Sequence, residues 1–153
     1  MEHKEYAGFW IRFGAMIIDT LVLIIITVLP LSFIYGEGYL LEDKYFYGFW
    51  DLLLGYILPV VGTIWFWLTY RATPGKMATK LEIVDALTGN NMSKGQAIGR
   101  YFAYILSALP LGLGFIWIGI DKRKQGWHDK LAGTVVVRNL HKEAVRFTAS
   151  PDK

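Results

Sequence analysis

An apolar stretch long enough to cross a lipid bilayer, interrupted by a single acid, constrains this chain most. Residues 13–34 contain one charged side chain, Asp19, among mostly Ile, Leu, Val, Phe, Ala and Met. A carboxylate at the centre of a membrane helix costs roughly 2.5–3.5 kcal/mol on insertion scales, so it normally faces a partner, a water-filled cavity or an ion path. Asp19 is therefore the first candidate functional residue.

The composition indicates an integral membrane protein. Hydrophobic residues make up 54% of the 153 positions, and they are clustered rather than periodic, which is not typical of a soluble domain of this size. There is no cysteine, and the three histidines are far apart in the chain, so we expect no disulfide and no metal site. No catalytic triad, paired carboxylate site or nucleotide loop is recognisable, so we expect neither an enzyme nor a cofactor.

Three stretches qualify as membrane spans, which predicts an all-α polytopic fold. They cover residues 9–34, 52–68 and 101–120, and Trp or Tyr residues flank them, as is typical of helix ends in the headgroup region. Thirteen of the sixteen Lys and Arg lie in segment 71–100 or after residue 120, whereas the loop 36–51 is acidic. The positive-inside rule places both basic segments and the amino terminus in the cytoplasm.

Three full crossings from a cytoplasmic amino terminus would place the basic tail outside the cell. The third stretch is therefore not a simple crossing. It is broken at Pro110, within the run Leu109-Pro110-Leu111-Gly112. Proline removes a helical hydrogen bond and glycine loosens the chain. Either two half-helices enter and leave on the same side of the membrane, or one kinked span exports the tail.

A small pair of cytoplasmic strands is also predicted. Residues 81–86 alternate weakly and end in a turn, and residues 133–138 are rich in β-branched side chains, which favours their pairing. We assign residues 1–140 to one membrane domain and residues 141–153 to a polar, flexible cytoplasmic tail.

Several motifs in this order resemble the RDD family of bacterial membrane proteins across nearly the whole chain. The motifs are Tyr6-Ala7-Gly8-Phe9-Trp10-Ile11-Arg12 with Asp19, Thr73-Pro74-Gly75-Lys76, Lys80-Leu81-Glu82-Ile83-Val84-Asp85, and the run from Asp121 to Thr134. The family is named for one Arg and two Asp. By resemblance these are Arg12, Asp19 and either Asp129, the preferred assignment, or Asp121.

The resemblance implies a helical domain in the bacterial cytoplasmic membrane with a transport role. Alkali-cation/proton antiport is one activity ascribed to the family. We therefore expect Asp19 to exchange a proton or a cation, in a homo-oligomer or a complex with another membrane protein. The alternative is a non-transporting accessory or scaffold subunit that binds and regulates a partner membrane protein.

Arg12 and Asp19 lie seven residues apart, which places them on one helix face about 10.5 Å apart along the axis. Helical side chains lean toward the amino terminus, so a direct ion pair between the two is not expected. We expect Arg12 either to contact lipid phosphate headgroups at the helix start or to pair with a carboxylate of the tail motif, and Asp19 to face a cavity closed by the broken third segment. Supporting residues are Arg100, His128 and Arg71. The competing interpretation makes Asp19 a helix-packing residue.

Thr73-Pro74 predicts a helix start, with threonine as the N-cap and proline at the first helical position. The remaining basic residues predict contact with anionic lipid headgroups rather than with nucleic acid. These residues are Lys76, Lys80, Lys122, Arg123 and Lys124.

Overall fold

The computed structural model describes residues 3–42 and 44–140. The described part is mostly helical, with one small sheet. Its α-helices are α1 (Phe9–Leu23), α2 (Leu29–Tyr35), α3 (Gly38–Leu41), α4 (Leu58–Tyr70), α5 (Pro74–Ala78), α6 (Lys94–Ala108), α7 (Leu113–Ile120) and α8 (Trp127–Ala132). Two π-helical segments cover Ile24–Val28 and Asp51–Ile57, and the strands are β1 (His3–Tyr6), β2 (Leu81–Asp85) and β3 (Thr134–Leu140).

Two helical runs among the described residues are long and apolar enough to cross a membrane. They are Phe9–Tyr35, in which α1 continues into α2, and Asp51–Ala78, which contains α4. Each contains a π-helical segment shortly before a proline, at Pro30 and Pro59. Proline lacks an N–H and clashes with the carbonyl of the preceding turn. The wider π-helical turn relieves this clash in both helical runs.

The third apolar stretch forms two helices. Helix α6 begins at Lys94, seven residues before the predicted start, because Ser93 and Gln96 form a capping box that satisfies two free N–H groups. The predicted break is confirmed: α6 and α7 are bent by 99°. In the turn, Leu111 and Gly112 have left-handed φ values of 53° and 76°.

The sheet has the strand order β1-β3-β2, with both pairings antiparallel. The predicted pairing of the second and third strands is confirmed, with a register from Leu81 opposite Arg138 to Asp85 opposite Thr134. The edge strand β1 was not predicted, so the expectation of an all-α fold was incomplete. Its sequence lacks β-branched residues, and docking against β3 determines its conformation.

Both ends of the α6–α7 pair contact the same part of the sheet. Near the start of α6, Gln96 Nε2 donates hydrogen bonds to Asp85 Oδ2 (2.6 Å) and to the carbonyl of Gly133 (3.2 Å). Beyond the end of α7, Arg123 donates to the carbonyl of Ala86 (2.5 Å). The start of α6 and the turn after α7 therefore reach neighbouring residues beside the sheet, although the two helices are not antiparallel, and we call the pair the α6–α7 hairpin.

Candidate functional site

Asp129, the preferred carboxylate of the tail motif, lies between two guanidinium groups. Arg12 Nη1 is 2.5 Å from Asp129 Oδ2, and Arg100 Nη1 is 2.5 Å from Oδ1. The N–H of Gly126 also donates to Oδ2, at 2.9 Å. Asp129 and Arg100 are fully buried. The network thus connects α1, α6 and α8, three elements that are distant in the sequence.

The two arginines are anchored further by neutral groups. Arg12 donates to the carbonyls of Ala7 (2.9 Å) and Lys124 (2.5 Å). Arg100 donates to the hydroxyl of Thr134. Burial alone would raise the pKa of Asp129, but the adjacent guanidinium groups of Arg100 and Arg12 hold it below its usual range. The carboxylate is ionised at neutral pH and holds the three elements together.

Asp121, the alternative assignment, is not part of this network. It forms an ion pair with Lys130 (2.5 Å) and accepts the backbone N–H groups of Arg123 (3.0 Å) and Gln125 (3.1 Å). These contacts stabilise the turn after α7. The structure therefore places Asp129, and not Asp121, against Arg12.

His128 lies between Ser107 and Asp129, an arrangement that the sequence did not predict. Its Nδ1 is 3.2 Å from Ser107 Oγ, and its Nε2 is 3.5 Å from Asp129 Oδ1. Ser107 is fully buried, and Gly114 packs so closely over it that an added β-carbon would lie 2.7 Å from Ser107 Cβ. Ser107 Oγ also accepts the N–H of His128 (3.0 Å), so this contact holds the start of α8 against α6.

Burial also determines the charge of His128. The ring stacks on Tyr104 and packs at a tilt against Phe115, with centroid distances of 4.3 and 5.0 Å. Desolvation lowers the pKa of His128 to about 3, and the nearby carboxylate of Asp129 only partly opposes this. His128 is therefore neutral at physiological pH, and a proton-relay role would require it to charge in an apolar site.

Asp19 is held by the Thr73-Pro74-Gly75 motif. The Thr73 hydroxyl donates to Asp19 Oδ2 (2.5 Å), and the Gly75 N–H donates to Oδ1 (2.7 Å). The predicted helix start is confirmed, since α5 begins at Pro74, but the Thr73 side chain does not cap its own helix. The carboxylate of another helix takes the capping role.

The glycine of this motif is needed for a close approach. A β-carbon on Gly75 would overlap the carbonyl oxygen of Ala15 and lie 2.9 Å from Asp19 Cγ. Ala15 is fully buried at this contact. The small side chain of Ala15 lets α5 approach α1 closely at this point.

Asp19 also lines a cavity of about 910 Å³ between the two long helical runs and the α6–α7 hairpin. The walls are mostly apolar, and Leu111, Gly112 and Phe115 of the hairpin contribute to them. Arg12, Arg100 and Lys76 lie at its polar end. The carboxylate thus faces a space that the broken third segment helps to close.

The other predicted basic residues fall into different environments. Lys76 is half-buried in the cavity wall, and Arg123 contacts Ala86 and the ring of Tyr6. The ammonium of Lys124 donates to the carbonyl of Gly119 (3.1 Å). Lys80 and Lys122 are exposed, and their contact with headgroups stays a prediction. Arg71 ends α4 in a left-handed conformation, and its carbonyl accepts the N–H of Ile83 (2.6 Å).

The order of these motifs matches a known family. The RDD family profile covers residues 6–133, which include Arg12, Asp19 and Asp129. The chain belongs to the RDD family. No solved structure matches it significantly.

Three bacterial proteins are similar in sequence to this RDD chain. It is 35% identical to the "Uncharacterized protein YxaI" of Bacillus subtilis (strain 168), covering 88% of this chain and 98% of that protein. It is 30% identical to the "Uncharacterized membrane protein YteJ" of the same strain, with 86% and 80% covered. It is 41% identical to the "Uncharacterized protein RP437" of Rickettsia prowazekii (strain Madrid E), with 50% and 42% covered. The family and these relatives indicate a small membrane protein.

Proposed function

We propose that this RDD protein crosses the bacterial cytoplasmic membrane twice and that the α6–α7 hairpin re-enters from the cytoplasmic side. The contacts of Gln96 and Arg123 with neighbouring parts of the sheet support this topology, because the two ends of a full crossing could not meet one sheet. The basic segments support the same orientation. The sheet, α8 and both ends of the described part then lie in the cytoplasm, whereas the predicted tail, residues 141–153, lies outside the described residues.

Within this membrane we propose an accessory, non-transporting role, in which the protein binds another membrane protein. The observation that carries this proposal is the exposed turn of the hairpin. Leu109 and Leu111 are 72% and 95% exposed there. Irregular backbone at membrane depth persists only where protein or a water-filled cavity covers it. A partner helix that packs on the turn would supply that cover.

The two key carboxylates support the same function, because donors within the protein already occupy their oxygens. Asp129 is shared by Arg12 and Arg100, and both oxygens of Asp19 accept hydrogen bonds from the Thr73-Pro74-Gly75 motif. An alkali cation needs several free oxygen ligands. Lys76 lies 3.5 Å from the Thr73 hydroxyl, and its positive charge would repel a cation there.

A photo-crosslinking amino acid at position 111 tests the accessory role in native membranes, with position 33 as the control. Phe33 is 89% exposed on α2, remote from the hairpin in sequence. We expect position 111 to give a discrete adduct with a second membrane protein and position 33 to give none. An adduct of twice the 17.4 kDa chain mass, or lipid adducts alone at position 111, would contradict the proposal.

Ion exchange at Asp19 is the second candidate, and the cavity beside this carboxylate favours it. Purified protein in liposomes with an internal pH dye decides between the two. Proton movement that depends on Na⁺ or K⁺ and disappears in Asp19→Asn, with an unchanged melting temperature, would establish exchange. The accessory role predicts no flux for either protein.

A further inference from the structure

The cavity beside Asp19 has one polar end and a long apolar remainder. Along the first long helix it extends from Arg12 to Ile26, a rise of roughly 21 Å at 1.5 Å per residue. Leu58 and Phe66 of α4 and Phe115 of α7 form the opposite walls. This length exceeds half of a hydrocarbon core that is ~30 Å thick, which is the reach of one acyl chain.

The polar end has more positive than negative charge. Three cationic side chains line it, Arg12, Arg100 and Lys76, whereas Asp19 and Asp129 supply two carboxylates. Among the residues that the structure describes, Lys76 has no ion pair, and its hydrogen bond to Thr73 is 3.5 Å long. An uncompensated ammonium beside an apolar cavity favours an anion as its neighbour.

Two buried donors at the same end lack acceptors within the described part of the chain. They are Trp67 Nε1 and Arg100 Nε. Both residues line the cavity, and Arg100 Cζ lies 5.5 Å from the Trp67 ring. Buried N–H groups without an acceptor are costly and rare. An acceptor group at the polar end would lower that cost after a small side-chain adjustment.

We propose that this cavity binds one anionic phospholipid. Its phosphate lies against the ammonium of Lys76, near Trp67 and Arg100, and one acyl chain lies along the apolar walls between the two long helical runs. A free phosphate would leave those walls empty, and a zwitterionic lipid would bring a second cation to an end that is already positive. The polar end of the cavity is distinct from the exposed hairpin turn that we assign to the partner protein, although Leu111 and Gly112 of that turn also contribute to the apolar walls.

Native mass spectrometry and thermal unfolding of the full-length protein in neutral detergent test this proposal. The probes are phosphatidylglycerol, phosphatidylcholine with the same chains, and glycerol phosphate. We expect one retained phosphatidylglycerol per chain, a higher melting temperature with phosphatidylglycerol than with phosphatidylcholine, and no competition by glycerol phosphate. Equal effects of the two lipids, or full competition by glycerol phosphate, would overturn the proposal.

Three variants locate the site. Lys76→Gln should weaken phosphatidylglycerol binding about tenfold, the usual scale of one charge-assisted hydrogen bond. Lys94→Gln removes the same charge from an exposed position at the start of α6 and should bind like the native chain. Gly62→Leu fills the cavity, where Gly62 has free space for a side chain, and should reduce binding without changing the charge. Equal losses for Lys76→Gln and Lys94→Gln would show nonspecific surface attraction and refute the site.

Discussion

Gly75 lies directly against the carbonyl of Ala15, and a β-carbon at position 75 would overlap that oxygen. This contact seats the short helix α5 on α1 and brings the Gly75 N–H within 2.7 Å of Asp19. The Thr73-Pro74-Gly75-Lys76 motif is therefore a docking element for the first membrane helix. Glycine is required at position 75 because there is no room for a β-carbon. Its backbone conformation does not require glycine, since its φ is not left-handed.

Gly75→Ala should destabilise the protein by at least about 2 kcal/mol, because neither backbone can move without breaking the bonds to Asp19. Thermal unfolding in detergent, followed by tryptophan fluorescence, measures the loss. Gly99→Ala is the matched control: it lies inside α6 with open space around it. It should be neutral or stabilising by up to about 1 kcal/mol. Similar melting temperatures for the two variants would contradict the close contact.

Asp129→Asn should reduce the stability of the folded protein much more than Asp121→Asn. The first change leaves Arg12 and Arg100 buried without a counter-charge, which typically costs about 3–5 kcal/mol. The second breaks an ion pair with Lys130, whose side chain is 44% exposed, so we expect roughly 0–1 kcal/mol. Membrane-inserted yield and melting temperature report both. A larger effect of Asp121→Asn would identify Asp121 as the key acid instead.

Stability should fall as the pH drops from about 6.5 toward 4, because of His128. Burial lowers its folded-state pKa from 6.5 to about 3, so in this window the unfolded chain binds more protons than the folded one. The contribution of neutral His128 to the free energy of unfolding is complete above pH 6.5. Below pH 6.5 it decreases by up to about 1.4 kcal/mol per pH unit.

His128→Phe removes this titration and retains the stacking on Tyr104 and Phe115. Its melting temperature should change little between pH 6.5 and 4, whereas that of the native chain should fall. Below about pH 4 both proteins should lose stability, since the pKa of Asp129 and that of Asp85 lie below their usual values. The same slope in both proteins above pH 4 would exclude His128 as its source.

Single cysteines test the proposed orientation, because the chain has none of its own. Tyr45 is 94% exposed in the acidic loop and Leu87 is 92% exposed beside the sheet. An impermeant maleimide on intact cells should label Tyr45→Cys and should reach Leu87→Cys only after permeabilisation. Labelling of Leu87→Cys in intact cells would place the sheet outside and refute the topology.

Much of the fold could be predicted because its signals are local. Runs of apolar residues indicated the two long helical runs, Pro110 and its neighbours indicated the break, and β-branched residues indicated the third strand. The strand β1 and the early start of α6 were missed, the first because it depends on docking to β3. In the site, a contact between Arg12 and a carboxylate of the tail motif was predicted, with Asp129 preferred by family resemblance, whereas the partners of Asp19 were not predicted.

The amino-acid sequence alone determined the apolar runs, their helical character, the charge asymmetry and the family, because each depends on residues that are near in the chain or on motif order. The choice of Asp129 over Asp121, the capping of α5 by Asp19 and the cavity with its half-buried lysine depend on the three-dimensional packing. These features join residues that are up to 117 positions apart in the sequence. The close approach of neighbouring elements at Gly75 and Gly114 determines the distances between these residues. Steric fit between separate elements has no local signature in a sequence.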